Sequence, residues 1–395
     1  MRHNARVPTE IDARPPLTQL SEDESAFRDA VRTFAQGEIA PRARAMEEAG
    51  RYDADLLPKL FEMGLMGVDV PEAYGGAGGT FFQSILAVEE VSRADAAVGV
   101  LVDVQNTLFN NALARWGTEA QKKAYLPRVA SDTVAAYALS EASSGSDAFA
   151  LKLRAKVADD AVVLDGHKLW ITNAAEAGLF VVFANADPDK GYKGITAFLV
   201  EKEDPGFSVG KREHKLGIKA SSTCELRFDG CRIPRHRVLG EVGRGYKYAI
   251  ETLNEGRIGI GAQMLGVAEA ALAAGTAYAR ERVQFGKPVA EFQAMQHLLA
   301  DCDTRIEAAR LLVWNAARRR DAGLSFVREA AMAKLVASDT AEFVTSSAVE
   351  IFGGNGYTTE FPVEKLYRDA KIGKIYEGTS FMQKATIAKA LLAGD

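Results

Sequence analysis

The chain has 395 residues, 47% hydrophobic and 26% charged, with a net charge of −5. This is the balance of an ordinary soluble globular protein long enough for two or three domains. No basic run or basic–aromatic stripe marks a nucleic-acid surface, no apolar stretch reads as a membrane span, and the first residues lack the apolar core of a signal peptide.

Cys224, Cys231 and Cys302 are odd in number and never in CxxC spacing. They therefore form neither a disulfide framework nor a zinc site, and a reducing cytoplasm is the expected compartment. The five histidines make no HExxH pattern and no cluster, so no metal centre is expected. GxSxG, GxxxxGK[ST] and GxGxxG are also missing, which removes the main support for serine-hydrolase, P-loop and Rossmann readings.

Residues 1–18 are polar, charged and proline-bearing and read as a loose tail. Ser21 followed by Glu24 is a capping box, and a helix-forming stretch runs from it toward Ala49. Further helical segments are expected over Ala54–Met63, Phe81–Ala94 and Glu119–Ala130, making residues 19–134 an all-helical domain. The texture changes near Ala135. Between Leu151 and Phe228 come short alternating runs separated by turns, the pattern of antiparallel strands in a small barrel or sandwich, residues 135–240. Asp165-Gly166 between two such runs is a two-residue hairpin signal. Residues 241–395 return to long helices. There Leu299, Cys302, Ile306, Ala309, Val313 and Ala316 fall at steps of three and four on one face, with Arg305, Arg310 and Arg318–Arg320 opposite. That stripe is the buried seam of a bundle helix.

Five motifs carry more specific information: YALSEASSGSD (137–147), KLWITNA (168–174), ERVQFGK (281–287), EIFGGNGY (350–357) and KIYEGTS (374–380). In this order and at these separations they resemble the acyl-CoA dehydrogenase family of flavoproteins, from Ser21 to the C-terminus. GYKGITAFLV, KLGIKASSTC, GRGYKYAI and LNEGRIGI are most similar to its short/branched-chain members. The resemblance implies an α+β multidomain fold: a helical N-terminal domain, a middle antiparallel β-barrel and a C-terminal four-helix bundle. It also implies FAD, an acyl-CoA substrate, an electron-transfer flavoprotein as partner, and a homotetramer built as a dimer of dimers. Fatty-acid or branched-chain amino-acid breakdown is the implied setting.

By local sequence Glu377 suits either an acid at a helix start or a base desolvated beside Ile375 and Tyr376. The resemblance assigns it as the base that takes the α-proton of the thioester while flavin N5 takes the β-hydride. Isovaleryl-type members instead carry their glutamate immediately before the arginine of the NEGR-like motif, a slot that is Gly256 here with Glu255 one residue off. SEASSGSD reads as a polar loop whose Gly145 permits close approach of a ligand and whose Ser146 offers a hydroxyl and an N–H.

By the resemblance Tyr137, Leu139, Ser140, Gly145 and Ser146 contact FAD, Trp170 lies on the flavin ring with Ile171 beside it, and Thr172 reaches N5. Arg282, Phe285 and Gln293, with Glu350, Ile351, Phe352, Gly353 and Gly354, reach the flavin of a neighbouring subunit. Thr379 and Ser380 are further FAD contacts, as is Phe381, which stands where a polar residue is common. Ser146, Tyr192, Tyr246, Asn254, Glu255, Gly256, Arg257 and Gly378 are implied substrate contacts. Two rivals share much of this pattern: an oxidase of the same fold that returns electrons to oxygen, and a silent flavin- or acyl-CoA-binding scaffold.

Overall fold

The computed structural model describes residues 16–393, so most of the expected tail lies outside the described residues. Seven helices come first: α1 Glu22–Phe34, α2 Ala43–Ala49, α3 Leu56–Glu62, α4 Phe81–Ala94, α5 Ala96–Asp103, α6 Asn111–Trp116 and α7 Glu119–Ser131. Three of them open with a complete capping box, Ser21/Glu24, Thr80/Gln83 and Thr118/Gln121, each satisfying two orphan N–H groups. The stretch toward Ala49 is not one helix. After Phe34 the chain passes through a π turn, Ala35–Ile39, and a 3₁₀ turn holding Pro41 before α2 begins. Proline lacks the N–H that the ladder needs, so the helix breaks there.

Strands follow: β1 Ala135–Ala138, β2 Arg154–Val157, β3 Ala161–Thr172, β4 Leu179–Asn185, β5 Ile195–Glu201, β6 Phe207–Arg212, β7 Thr223–Pro234 and β8 Val238–Leu239. They form one sheet in the order β6-β7-β3-β2-β4-β5-β8, with β1 added alongside β4. The joins are antiparallel except β1/β4 and β2/β4, which are parallel. Asp165-Gly166 is not a hairpin. Both residues lie within β3, where the register against β7 slips between Leu164 and Gly166 and Gly166 has φ +132°. The same tolerance of positive φ that suits a turn here makes a bulge, and Asp165 Oδ1 accepts the Gly230 N–H at 2.7 Å. The β2–β3 turn falls instead at Asp159-Asp160, closed by the Ala158 N–H bonding to the Ala161 carbonyl at 2.9 Å.

The last third contains α8 Gly245–Glu281, a short hairpin of β9 Val283–Gln284 and β10 Lys287–Pro288, then α9 Gln293–Asp321, α10 Val327–Phe352, α11 Val363–Ala370 and α12 Ser380–Ala393. Helices α8, α9, α10 and α12 pack as a bundle, and α4 lies along α8 to join it to the first helical layer. On α9 the stripe is buried from Cys302 through Ala316, while Leu299 is half-buried. Arg310 departs from its expected solvent face. It reaches Glu89 at 2.6 Å and also pairs with Glu269 and Glu307, pinning α4, α8 and α9 together. Helix α8 is long and apolar enough to cross a membrane, but 72% of its apolar window is buried as the central helix of the bundle.

Glycine lets α8 and α4 touch backbone to backbone. A Cβ added to Gly266 would lie 2.2 Å from the Glu89 carbonyl oxygen and 2.8 Å from the Arg93 nitrogen. Gly266→Ala is therefore expected to destabilise the fold by about 1–3 kcal/mol. Gly37→Ala, where a Cβ would meet nothing, serves as the control and should leave the melting temperature unchanged or slightly raised. Equal melting temperatures for the two variants would refute the close-packing account.

Candidate active site

Glu377 sits in a backbone kink between the 3₁₀ turn Lys371–Lys374 and α12. Its φ is +51° and that of Gly378 +85°, so two successive residues are left-handed. For a glutamate this conformation costs roughly 1–2 kcal/mol, which the surroundings must offset. Two fully buried side chains do so. Lys334, on α10, donates to the Gly378 carbonyl at 2.5 Å, and Gln383, on the first turn of α12, donates to the carbonyls of Glu377 at 3.1 Å and Gly378 at 2.8 Å. Tyr376 is anchored in turn by its hydroxyl on Gln263, whose amide donates to the Ala96 carbonyl at 2.7 Å.

The Glu377 carboxyl is turned inward, and its Oε2 is buried without a hydrogen-bond partner. Burial pushes it up to about 7, against the pull of the Lys334 and Arg257 cations. Lys334 is brought down to about 8, again by burial, with Glu377 opposing. A carboxyl with a pKa near neutrality, without a fixed hydrogen-bond partner, is poised as a general base. Gly256 makes room for it. A Cβ there would lie 3.0 Å from Glu377 Oε2 and 2.8 Å from Leu108 Cδ2.

The implied substrate residues separate into two groups. Asn254 is buried on α8 and accepts from Arg257 Nη1 at 2.9 Å, while Arg257 Nε is buried and unpaired and its cation lies within the electrostatic reach of Glu377. Tyr192 packs edge-on to Tyr246 at 5.1 Å, and Tyr246 meets Phe149 at 6.5 Å, giving an aromatic group near the start of α8. Gly378 belongs to the kink itself. Glu255 is placed elsewhere. Its buried carboxylate pairs with Arg115 at 3.0 Å and Arg320 at 3.3 Å, cross-linking α6, α8 and α9, so a structural ion pair replaces the expected substrate contact.

The implied flavin residues also fall into two places. Around the kink, the Tyr137 hydroxyl is buried and unpaired on β1, within the electrostatic reach of Glu377, and Ser380 Oγ is likewise buried and unpaired. Thr379 precedes α12 and Phe381 is exposed on it. At the end of β3 a bulge between Lys168 and Ile171 sets Trp170 at φ +59°, leaving its indole 54% exposed while Ile171 is buried and Thr172 half-buried. The loop after β1 runs beside it: the Leu169 N–H bonds to the Ser140 carbonyl at 3.0 Å, Leu139 is buried, and Gly145 and Ser146 are exposed. A strained, exposed indole beside an open glycine–serine loop and unpaired buried hydroxyls suits a flat, polar-edged cofactor such as FAD.

The second place lies at the far end of α8. Arg282 caps that helix, Phe285 and Gly286 form the β9–β10 turn with positive φ, and the Phe285 ring is 95% exposed. Gln293 begins α9 nearby. At the end of α10 Glu350 is exposed, Ile351 is buried, Phe352 stacks on Tyr278 at 4.0 Å, and Gly353 and Gly354 are open. From Gly256 to Arg282 along α8 is roughly 39 Å at helical rise. Within one chain the two sets do not meet.

Residues 21–133, 136–231 and 243–392 match the N-terminal, middle and C-terminal domain models of acyl-CoA dehydrogenase. The chain belongs to the acyl-CoA dehydrogenase family. It is 52% identical to a probable short/branched chain specific acyl-CoA dehydrogenase of Dictyostelium discoideum over 378 residues, covering 95% of this chain and 92% of that one. Among solved structures it resembles butyryl-CoA dehydrogenase from Megasphaera elsdenii, with 43% identity, coverage of 95% and 99%, and a TM-score of 0.93. It also resembles a glutaryl-CoA dehydrogenase from Mycobacterium smegmatis in complex with FADH2, with 30% identity, 95% coverage of both chains and a TM-score of 0.89. Acyl-CoA dehydrogenases are FAD-dependent oxidoreductases, and the chain is such an enzyme.

Sequence reasoning gave no role to Lys334, Gln383 or Phe149. Lys334 had a signal: it interrupts the small-residue stripe Ala330, Ala333, Ala337 and Ala341 of α10, where a lysine belongs only if something holds it. A nearby cation favours the ionised carboxylate, so removing it raises the pKa of Glu377. Lys334→Met is expected to move the acid limb of the kcat/KM–pH profile to higher pH. An unmoved limb, in an enzyme that still turns over, would show that the ammonium does not act on Glu377.

Proposed function

We propose that this enzyme removes hydrogens from the α and β carbons of short or branched-chain acyl-CoA thioesters, giving trans-2-enoyl-CoA. The observation that carries the mechanism is the desolvated, unpaired carboxyl of Glu377 with its pKa raised to about 7. The α-proton of a thioester is weakly acidic, and a carboxylate stripped of water is a stronger base than one in solution. Glu377 takes that proton on its free oxygen. The left-handed kink, held by Lys334 and Gln383, keeps the carboxyl aimed inward before substrate arrives, so little of the barrier goes into orientation.

FAD, when bound, supplies the acceptor for the hydride that leaves the β carbon, chemistry no side chain offers. Tyr137, Leu139, Ser140, Gly145, Ser146, Trp170, Ile171 and Thr172 would hold it, with Thr379, Ser380 and the exposed ring of Phe381 at the kink. Arg257, Asn254, Tyr192 and Tyr246 would orient the CoA ester, with Arg257 suited to its polar or phosphate atoms. Electrons are then proposed to leave to an electron-transfer flavoprotein.

The roughly 39 Å along α8 from Gly256, beside Glu377, to Arg282 supports assembly as a homotetramer, in which Arg282, Phe285, Gln293 and Glu350–Gly354 complete a neighbouring subunit's cofactor site. All three cysteines are free and buried, which suits a reducing compartment such as the cytoplasm.

Glu377→Gln is expected to keep the fold and the yellow cofactor while slowing flavin bleaching by at least about a hundredfold. The measurement is anaerobic addition of butyryl-, isobutyryl- and 2-methylbutyryl-CoA, with isovaleryl- and octanoyl-CoA as comparisons, following flavin absorbance. Bleaching by the variant at the parental rate would remove Glu377 from the chemistry. Parental preference for octanoyl-CoA would remove the short/branched assignment.

A further inference from the structure

Lys168 has no place in the chemistry above, yet it is the charged side chain most completely removed from solvent in the sheet. It lies in β3 two residues before Trp170 and is 0% exposed. Its ammonium donates to the Leu139 carbonyl at 2.8 Å and to Glu141 Oε1 at 2.8 Å. Glu141 is buried too. Its Oε1 also accepts the Leu153 N–H at 3.1 Å, and its Oε2 accepts the Lys152 N–H at 2.6 Å. The loop then folds back on itself, as the N–H groups of Glu141 and Ser144 each bond to the other's carbonyl at 3.1 Å.

Desolvating two charges costs more than a comparable apolar pair, so a fully buried ion pair is poor evidence of a stability role. Its position suggests another. Strand β1 is laddered to β4 and β3 to β2 and β7, so the sheet does not pair β1 with β3. The loop after β1 and the bulged end of β3 are joined at this point by the Lys168 ammonium, the Glu141 carboxylate and the Leu169–Ser140 bond. Those two segments carry Leu139, Ser140, Gly145 and Ser146 on one side and Trp170, Ile171 and Thr172 on the other. Burial draws the Lys168 ammonium down to about 8 against the pull of Glu141, as expected of a group held in a dry site for its partner.

We propose that Lys168 and Glu141 are positioning residues for the flavin: their buried ion pair locks the loop after β1 to the end of β3, presetting the cradle that receives FAD. The inference rests on reading those two segments as the FAD cradle. Preset hydrogen-bonding groups and a fixed indole bind without first being ordered, so the pair acts mainly on cofactor retention and flavin environment.

The test uses purified holoenzyme and follows FAD release on dilution by flavin fluorescence, together with the flavin absorption spectrum and the melting temperature of the FAD-free protein. Breaking the pair singly, with Lys168→Met, leaves Glu141 buried and unpaired and is expected to destabilise the fold. The informative variant is Lys168→Met/Glu141→Gln, which removes both charges. It should melt within a few degrees of the parent, release FAD at least roughly tenfold faster, and show a shifted flavin band.

Parental FAD release and spectrum in the double variant would overturn the proposal. So would a double variant that does not fold, because the pair would then be structural. Trp170→Ala separates this from the cradle reading. If Trp170→Ala speeds FAD release and the double variant does not, the latch alone fails. If Trp170→Ala leaves FAD release unchanged, the cradle assignment itself fails.

Discussion

The site depends on keeping one carboxyl dry and aimed. Glu377 occupies a conformation that an isolated glutamate avoids, followed by a second left-handed residue, and no ladder of α12 reaches back to stabilise it. What holds it is a pair of buried donors on the carbonyls of the kink, an ammonium from α10 and an amide from α12 itself. Neither donor bonds to the carboxyl. The geometry is fixed through the backbone while Oε2 stays without a partner, so the proton affinity of the carboxyl is set by desolvation and by the charges of Lys334 and Arg257. A direct hydrogen bond to the carboxylate would have favoured its charged form and lowered its proton affinity.

Helix α8 is the second half of that arrangement. Its small residues let other chain segments come close on several sides: α4 at Gly266, the Asp103 carboxyl at Gly259, and the Glu377 carboxyl at Gly256. The position of Gly256 has a chemical consequence. A side chain grown from it would point at the place where Glu377 Oε2 already lies. The alternative glutamate slot noted before the arginine of the NEGR-like motif and the KIYEGTS slot thus converge on one point in space from two different elements. A carboxyl carried at either position would reach the same space, which in this chain Glu377 Oε2 occupies beside Gly256.

Much of the fold was legible because its signals are local. The Ser21/Glu24 capping box, the span Phe81–Ala94 and the apolar stripe from Cys302 to Ala316 all rest on spacing within one helix. The errors arose where the deciding partner lies far along the chain. Asp165-Gly166 has turn chemistry, but pairing with β7, more than fifty residues on, turned it into a bulge. Arg310 looked like a solvent residue until Glu89 and Glu269 were brought against it. Glu255 stood next to the expected base slot, yet Arg115 and Arg320 claim its carboxylate. Glu377 was singled out by its motif. Its clamp was not, because a lysine on α10 and a glutamine on α12 become neighbours of one peptide only after the bundle has formed.

The length of α8 would link the proposed chemistry to the proposed assembly. Its N-terminal half borders Glu377 and the aromatic residues Tyr246 and Tyr192, while its C-terminal end carries Arg282 and leads to the exposed ring of Phe285. A phenylalanine 95% exposed on a two-residue turn touches its own chain edge-on at Phe292, 6.1 Å between ring centres, and leaves its other face bare. An exposed aromatic with an adjacent cation is the composition of a contact that closes on another surface. If that surface is the cofactor edge of a second copy, one rigid helix reports cofactor occupancy at one end to the subunit contact at the other. Binding of FAD and association would then stabilise each other by mass action, without any conformational switch.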